Sequence, residues 1–313
     1  MLKAPVASFL NAEIVTDSAK VQTPYAFVGV PFGPPYIPQD LASCADAADA
    51  VRALTHRMEY QHTATHYDFD WGGPLFPDGV WTVTDCGDVI GDPRDPDAIW
   101  DRTTEILTPL VRQGRTPLVL GGLDSVPPMV VAAFRGYEQV NVLHIDAHLD
   151  FREEVGGVTH GYSSPIRRIR EFDCVGRIVQ VGLRAVGSGR PQDVADARAA
   201  GNELITAWQV HDQGIGVVLD KLRAPGRWVI TVDCDGLDPS IAPGVGWPEP
   251  GGLTFPQVRG LIHALAEESR IAAVVFTEYQ PARDIQHTTA LTITRLLMNV
   301  MGLQRSVDPQ AGR

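Results

Sequence analysis

Cysteine is scarce in this sequence, with four residues in 313. Cys44, Cys86, Cys174 and Cys234 lie far apart, and no Cys-x-x-Cys pair occurs. This spacing argues against the disulfide framework of a small secreted protein. We therefore expect four reduced, buried thiols.

Long apolar segments and excess positive charge are also lacking. No long apolar segment precedes Asn11 and Glu13, so neither a signal peptide nor a membrane span is indicated, and we expect a cytoplasmic protein with no membrane partner. The formal net charge of -12 at pH 7 argues against a nucleic-acid partner and mildly favours a cationic one. A hydrophobic content of 44% with 20% charged residues is typical of a globular protein with an ample core.

Short apolar runs alternate with helical patterns along the chain. The clearest helical spacing covers residues 97–113, and the apolar runs are 26–30, 117–120, 140–145, 178–183, 228–233 and 272–276. Without repeats or a linker, this alternation predicts an α/β fold with a mainly parallel sheet covered by helices on both faces. We predict one domain over residues 1–313, in which residues 1–23 form an N-terminal arm or an edge.

Acidic and imidazole side chains collect where these predicted strands end, which is where open parallel sheets bind ligands. They are Asp124, Asp146, His148, Asp150, Asp233 and Asp235. Members of one strand end stand at alternate positions, and alternate residues of an extended chain share a face. Five carboxylates and one imidazole suit two divalent ions that share ligands, and mostly oxygen ligands favour Mn²⁺. Two such ions would lower the pKa of a shared water.

The ordered set of motifs resembles the ureohydrolase family of arginases and agmatinases. The resemblance spans roughly residues 26–284, and its motifs are Gly29-Val30-Pro31-Phe32, Asp85-Cys86-Gly87-Asp88, the run 146–150, His160-Gly161, the run 233–239, Ala242-Pro243-Gly244, the run 248–254 and Glu278. It implies a three-layer arginase-like fold with a sheet of about eight strands, and assembly as a homotrimer or homohexamer. It also implies two Mn²⁺ ions per chain, with Ni²⁺ or another divalent ion as an alternative.

The resemblance further implies hydrolysis of a small guanidino compound to an amine and urea through a metal-bridging hydroxide. Carried over position by position, Asp146 and Asp233 bridge both ions, Asp150 binds the first ion, and His148 and Asp235 bind the second. Asp150 also passes a proton to the leaving amine. His160 corresponds to a proton shuttle, and Glu278 to the residue that holds the guanidinium group.

The sequence departs from the family pattern at one metal ligand. The family normally has Gly-Gly-Asp-His-Ser, whereas this chain has Gly121-Gly122-Leu123-Asp124-Ser125. Asp124 can still coordinate through oxygen, but it reaches less far than imidazole and adds a negative charge. Two outcomes stay open. The site is binuclear with altered affinity and substrate choice, or the first metal is weak and the protein is a mononuclear hydrolase or an inactive relative.

The substrate side is less strongly patterned. The interval between Asp150 and His160 lacks the Asn- and Ser-bearing run of arginases, so an agmatine or guanidino-acid substrate fits better. Arg152 could bind a substrate carboxylate or pair with a neighbouring glutamate, and Trp247 could line the pocket mouth or pack within its loop.

Two alternative functions remain at this stage. One is a catalytically weak structural or regulatory subunit that forms a hetero-oligomer with an active relative. The other is an amide hydrolase with a single metal held by Asp146, His148 and Asp235.

Overall fold

The computed structural model describes residues 1–37, 41–56, 65–70, 72–74, 76, 78–79, 82–92, 94–187, 189–223, 226–268 and 271–307. Its strands are β1 (Leu2–Lys3), β2 (Glu13–Ile14), β3 (Tyr25–Val30), β4 (Tyr67–Asp68), β5 (Gly73–Pro74), β6 (Val83–Val89), β7 (Thr116–Gly121), β8 (Val140–Ile145), β9 (Val175–Leu183), β10 (Glu203–Thr206), β11 (Arg227–Asp233) and β12 (Ile271–Thr277). The final residues of the predicted domain, 308–313, lie outside the described part.

One large sheet carries most of these strands, in the order β1-β6-β3-β7-β12-β11-β8-β9-β10, with β2 also paired to β6. The pairs from β6 through to β10 are all parallel. Within the described residues this gives a run of eight parallel strands, which confirms the predicted sheet. Strands β4 and β5 form a separate antiparallel pair.

Helices cover both faces of the sheet. They are α1 (Leu41–Cys44), α2 (Ala47–Thr55), α3 (Pro96–Arg112), α4 (Pro127–Ala132), α5 (Pro165–Arg170), α6 (Pro191–Ala199), α7 (Ala207–Gln213), α8 (Gly216–Leu222), α9 (Phe255–Glu268) and α10 (Thr288–Val307). None of these described helices is both long and apolar enough to span a bilayer.

Two hydrophobic cores separate the three layers. On one face, residues such as Val51 of α2, Leu261 of α9 and Leu296 of α10 pack on the sheet. On the other face, Leu107 of α3 and Val130 of α4 do the same. Every residue of β3, β7 and β12 is buried, because parallel strands covered on both sides need apolar residues on both sides.

The N-terminal segment lies on the sheet edge and is not a free arm. Strand β1 pairs with β6 in the antiparallel direction and β2 pairs with it in parallel. The ring of Phe9 stacks on that of Phe27, with centroids 4.5 Å apart. All four cysteines are free and buried, as expected.

A buried arginine ties α2 to strand β6. Arg52 donates to both carboxylate oxygens of Asp85, at 2.9 and 3.0 Å, and to Asp88 at 2.7 Å. Its side chain is almost fully buried, as is that of Asp85. The Asp85-Cys86-Gly87-Asp88 motif therefore anchors a helix, because bidentate pairing fixes geometry as well as charge.

We predict that Arg52→Ala lowers the free energy of unfolding by about 3–5 kcal/mol, because it leaves buried carboxylates without their partner. Urea denaturation followed by circular dichroism measures the change. Arg94→Ala is the matched control, since that arginine pairs with Asp92 in solvent. Equal midpoints for Arg52→Ala and the wild-type protein would contradict this role.

Candidate metal centre

The predicted acidic residues meet at the middle of the sheet. Strands β7, β12, β11 and β8 are neighbours in that order, and all three pairs are parallel. Asp124 follows β7, Glu278 follows β12, Asp233 ends β11, and Asp146 follows β8. Since the carboxyl ends of parallel strands lie at one edge, the fold brings these four positions together.

A first group of possible metal ligands consists of Asp124, His144 and Asp146. Their ligand atoms lie within 4.8 Å of one another, and all three residues are buried. The Nε2 atom of His144 is 3.1 Å from Asp146 Oδ2 and 3.7 Å from Asp124 Oδ2. The group therefore contains an imidazole although position 124 itself carries a carboxylate.

A second group consists of Asp146, His148 and Asp235. The Nδ1 atom of His148 is 3.2 Å from Asp235 Oδ2 and 3.5 Å from Asp146 Oδ1. The loop that carries Asp235 is held by buried Arg184, whose Nη2 donates to the Asp235 carbonyl oxygen at 2.5 Å. Asp146 belongs to both groups and turns a different oxygen toward each, which is the arrangement of a bridging carboxylate.

The residues of the first group fit a divalent cation. Two ligand atoms bound to one ion at about 2.0–2.2 Å, with angles of about 90–120°, lie about 2.8–3.8 Å apart. The distances from His144 Nε2 fall in that range. Within the described part of the chain, Asp124 Oδ2, His144 Nε2 and Asp146 Oδ2 are buried and have no hydrogen-bond partner. Buried polar atoms usually have partners, and an ion at this point would supply one.

The protonation of His144 also bears on metal binding. Its Nδ1 lies 3.4 Å from the Gln180 amide nitrogen, which donates to the Leu149 carbonyl oxygen at 2.7 Å. That bond orients the amide beside the ring, and Nε2 faces the carboxylates of Asp146 and Asp124. Burial opposes a charged ring, but Asp146 and Asp124 raise the pKa of His144 to about 10. At neutral pH the metal-free ring is therefore protonated, and an ion that binds Nε2 must displace a proton from that nitrogen.

Further carboxylates crowd the same space. Burial, followed by repulsion from Asp146 and Asp124, raises the pKa of Asp150. Burial, followed by repulsion from Asp235 and Asp146, raises the pKa of Asp233. Burial and the charge of Asp146 raise the pKa of Asp235 to about 6. A site of this kind favours cations, because each positive charge relieves several repulsions.

Glu278 closes the cluster on the side of β12. Its Oε1 accepts a hydrogen bond from the Asp124 main-chain nitrogen at 2.9 Å, and its own nitrogen donates to the Gly122 carbonyl oxygen at 2.9 Å. Its φ of 59° is unusual for a residue with a side chain, and such backbone strain concentrates at functional sites. Burial, together with the charges of Asp124 and Asp235, raises the pKa of Glu278 to about 8.

A cavity of about 600 Å³ opens above these groups. The predicted site residues that line it are Asp124, His148, Asp150, Asp233, Asp235, Trp247 and Glu278. Asp146 lies fully buried next to the same groups. The described part of the lining is completed by Ser43, Leu123, Tyr162, Ser163, Gly246, Gln280 and Arg283.

Two predicted residues do not reach the cavity wall formed by the described residues. Arg152 pairs with Asp193, with Nε 3.5 Å from Oδ2, and not with a neighbouring glutamate. Its contact with substrate stays a prediction, which this pairing does not support. The exposed His160 has Nδ1 2.9 Å from Thr159 Oγ1, and its ring meets the edge of Trp100. In both cases nearness in sequence to Asp150 did not determine which way the side chain points.

Sequence reasoning missed His144, Gln280 and Arg283. His144 stands two residues before Asp146, at an alternate position on the same face, so strand periodicity could have identified it. Gln280 and Arg283 follow Glu278 closely, but no periodic signal marks them.

Comparison with known proteins agrees with this geometry. The family described as "Arginase family" matches residues 23–302. The N(1)-aminopropylagmatine ureohydrolase of Thermus thermophilus is 35% identical over 197 residues, which cover 62% of this chain and 64% of that enzyme. The chain thus aligns with slightly less than two thirds of that relative's length.

Other relatives match over nearly the whole chain. The guanidinopropionase of Pseudomonas aeruginosa is 28% identical over 308 residues, 96% of this chain and 92% of that enzyme. The solved structure of the agmatine ureohydrolase of Thermoplasma volcanium superposes with a TM-score of 0.75 at 25% identity, over 93% of this chain and 94% of that chain. The family match contains every residue of both ligand groups.

The shared position of Asp146 gives a prediction about metal content. Asp146→Asn should lower the bound metal from about two ions per chain to near zero, and Asp235→Asn should lower it to about one. The reason is that, among the described residues, Asp146 alone belongs to both groups. Elemental analysis of protein loaded with Mn²⁺ measures this, with circular dichroism to confirm folding. Asp220→Asn on the surface is the charge control. Equal losses in the two site variants would show that Asp146 is not shared.

Metal binding should also depend on pH. Although burial opposes protonation, Asp146 and Asp235 raise the pKa of His148 to about 12, so the metal-free ring carries a proton at neutral pH. An ion must displace it, and acidification through the pKa of Asp235, about 6, adds a second competing proton. We expect the apparent affinity for Mn²⁺ to rise at least about tenfold from pH 6 to pH 8. Calorimetric titration tests this, and an affinity independent of pH would contradict it.

Proposed function

The chain belongs to the arginase family, and from this premise we propose that it is a metal-dependent hydrolase that cleaves a small guanidino compound to an amine and urea. The observation that carries the proposal is the pair of ligand groups joined by Asp146 at the base of a cavity that also contains Glu278. The relatives named above are ureohydrolases of aminopropylagmatine and agmatine, and a guanidinopropionase.

We assign two divalent ions to the ligand groups, with Asp150 and Asp233 as further oxygen ligands. Arginase-family proteins use a binuclear divalent metal centre, and the predominance of carboxylates favours Mn²⁺. Asp124 replaces the usual histidine of the family, but His144 brings an imidazole to the same group. This favours a binuclear site over loss of the first metal. When bound, the ions supply Lewis acidity that lowers the pKa of a water molecule.

Glu278 is assigned to the guanidinium group of the substrate. A carboxylate accepts paired N–H groups from a planar guanidinium, and Glu278 is oriented for this by its bond to the Asp124 nitrogen. Its raised pKa reflects burial among like charges. An arriving cation restores its negative charge, so binding is selective for positively charged groups.

Asp150 is assigned to proton transfer. It is buried, lines the cavity, and has a raised pKa because of burial and the charges of Asp146 and Asp124. In the metal-loaded site a carboxylate at this position could take a proton from the attacking water and pass it to the leaving amine, and such a transfer contributes about 10²–10⁴-fold to a rate. The proton-shuttle role of His160 stays a prediction, and its exposed position does not support it.

The alternative functions are less favoured. A catalytically weak subunit does not need two complete ligand groups with an oriented glutamate beside them. A single-metal amide hydrolase would bind its ion with Asp146, His148 and Asp235. The buried atoms of Asp124 and His144 in the first group would then have no metal to bind. The expected homotrimer or homohexamer remains a prediction for light scattering.

Urea release tests the proposed function. The Mn²⁺-loaded protein should form urea from at least one of agmatine, guanidinopropionate, guanidinobutyrate and arginine. Glu278→Gln should lower kcat/KM by about 10²–10³-fold, because the amide cannot neutralise the guanidinium charge. Glu171→Gln, at an exposed position, is the control. Full metal loading without urea from any of these compounds would defeat the proposal.

A further inference from the structure

We infer that Arg283 binds a carboxylate at the far end of the substrate, so that the substrate is a guanidino acid and not a guanidino amine. This inference rests on the proposed function and adds the chemical class of the group opposite the guanidinium. It follows from the charges around the cavity, from the guanidinium of Arg283, which has no partner among the described residues, and from the way its backbone is held.

Negative charge is confined to one part of the cavity. The carboxylates of the described lining are those of Glu278 and of four proposed metal ligands, Asp124, Asp150, Asp233 and Asp235. Among the other described lining residues, Arg283 and the metal-ligand candidate His148 can carry a positive charge, and the rest are neutral. A substrate with a second positive charge at its far end would therefore meet no carboxylate there, and it would be repelled by Arg283.

Arg283 is available to bind an anion. Its side chain is exposed, and among the described residues its guanidinium makes no hydrogen bond or ion pair. By contrast, Arg152 pairs with Asp193 and Arg295 with Asp68 and Asp70. In a chain with a net charge of -12, an unpaired arginine at the wall of a cavity points to an anionic ligand. Its planar fork of donors matches a carboxylate with two parallel bonds.

The backbone around Arg283 is firmly held. The carboxylate of Asp284 accepts bonds from the Tyr279 hydroxyl at 3.0 Å and from the Thr289 nitrogen at 3.0 Å. The Gln280 nitrogen donates to the Gly244 carbonyl oxygen at 2.7 Å. These bonds fix the segment that joins Glu278 to Arg283. One short segment therefore carries both proposed substrate contacts. The carboxylate of Glu278 would bind the guanidinium group of the substrate, and the guanidinium of Arg283 would bind its carboxylate.

The same cavity offers apolar surface for a short carbon chain. Trp247 and Tyr162 line the same cavity, and aromatic faces pack well against methylene groups. A cavity of about 600 Å³ falls within the range of small-molecule sites. The compounds that match both ends are linear guanidino acids such as 3-guanidinopropionate and 4-guanidinobutyrate.

The test compares 4-guanidinobutyrate with agmatine in the Mn²⁺-loaded protein. The wild-type protein should prefer the acid by at least about tenfold in kcat/KM. Arg283→Glu should shift this preference toward agmatine by at least about 10²-fold, mainly through KM, because the substitution reverses the charge that meets the far end of the substrate. Arg283→Gln should give an intermediate shift. Arg223→Glu makes the same change of net charge at an exposed position outside the described lining and should leave the preference unchanged.

Binding provides a readout that does not need turnover. Calorimetry should detect binding of 4-guanidinobutyrate to wild-type protein and at least tenfold weaker binding to Arg283→Glu, with Arg283→Gln as the second variant if the glutamate variant does not fold. Urea formation with an unchanged acid-to-amine preference in both variants would overturn the inference and leave the proposed function intact. A wild-type preference for agmatine would do the same. Binding that depends on Arg283 without any urea would instead refute the hydrolase proposal.

Discussion

Repulsion among buried carboxylates is the constraint on which the rest of this molecule depends. Asp124, Asp146, Asp150, Asp233 and Asp235 lie buried at the ends of neighbouring strands, where each ionised group raises the cost of ionising the next. Few arrangements relieve such crowding without cations. The imidazoles of His144 and His148 do so in part by carrying protons, and divalent ions would do so more completely. The chemistry then follows from the same charge balance, because a guanidinium is itself a cation.

The sheet makes this crowding possible. Its four central strands are parallel neighbours with apolar residues on both faces, so two hydrophobic cores offset the cost of gathering charges at one edge. Polar anchoring complements these cores. Arg52 fixes α2 against β6, and Arg184 fixes the loop of Asp235 through main-chain oxygens. The site therefore lies on rigid strand ends and well-bonded loops, as accurate placement of ligands requires.

The sequence allowed much of the fold to be predicted, because buried parallel strands appear as continuous apolar runs. The run 140–145 was predicted with the bounds that the structure gives. Strand β10 was missed because it is short and begins with the charged Glu203, and helix α9 was missed because Gly260 in its interior weakens its pattern. The family and its hydrolytic class were recognisable from ordered motifs, which the family match confirms.

The candidate site was only partly predictable. Residues at strand ends were brought together as expected, since topology fixes where they lie. His144 escaped notice because it lies inside an apolar run and looks like a core residue, although its imidazole belongs to the ligand cluster. Arg152 and Arg283 could not be placed from sequence for another reason. The direction of a long side chain depends on packing that no local pattern encodes.

The two outer strands of the sheet have a consequence of their own for how the protein behaves at high concentration. Strand β1 covers one flank of β6 with only two residues, and β10 ends the other side with four, where Glu203 forms an ion pair with Lys221. Long, flat, apolar edge strands pair with strands of other molecules and can start fibrils, whereas short edge strands that carry charge resist such pairing. The extended sheet thus ends on both sides in segments poorly suited to intermolecular β-pairing, and its copies can associate through other surfaces.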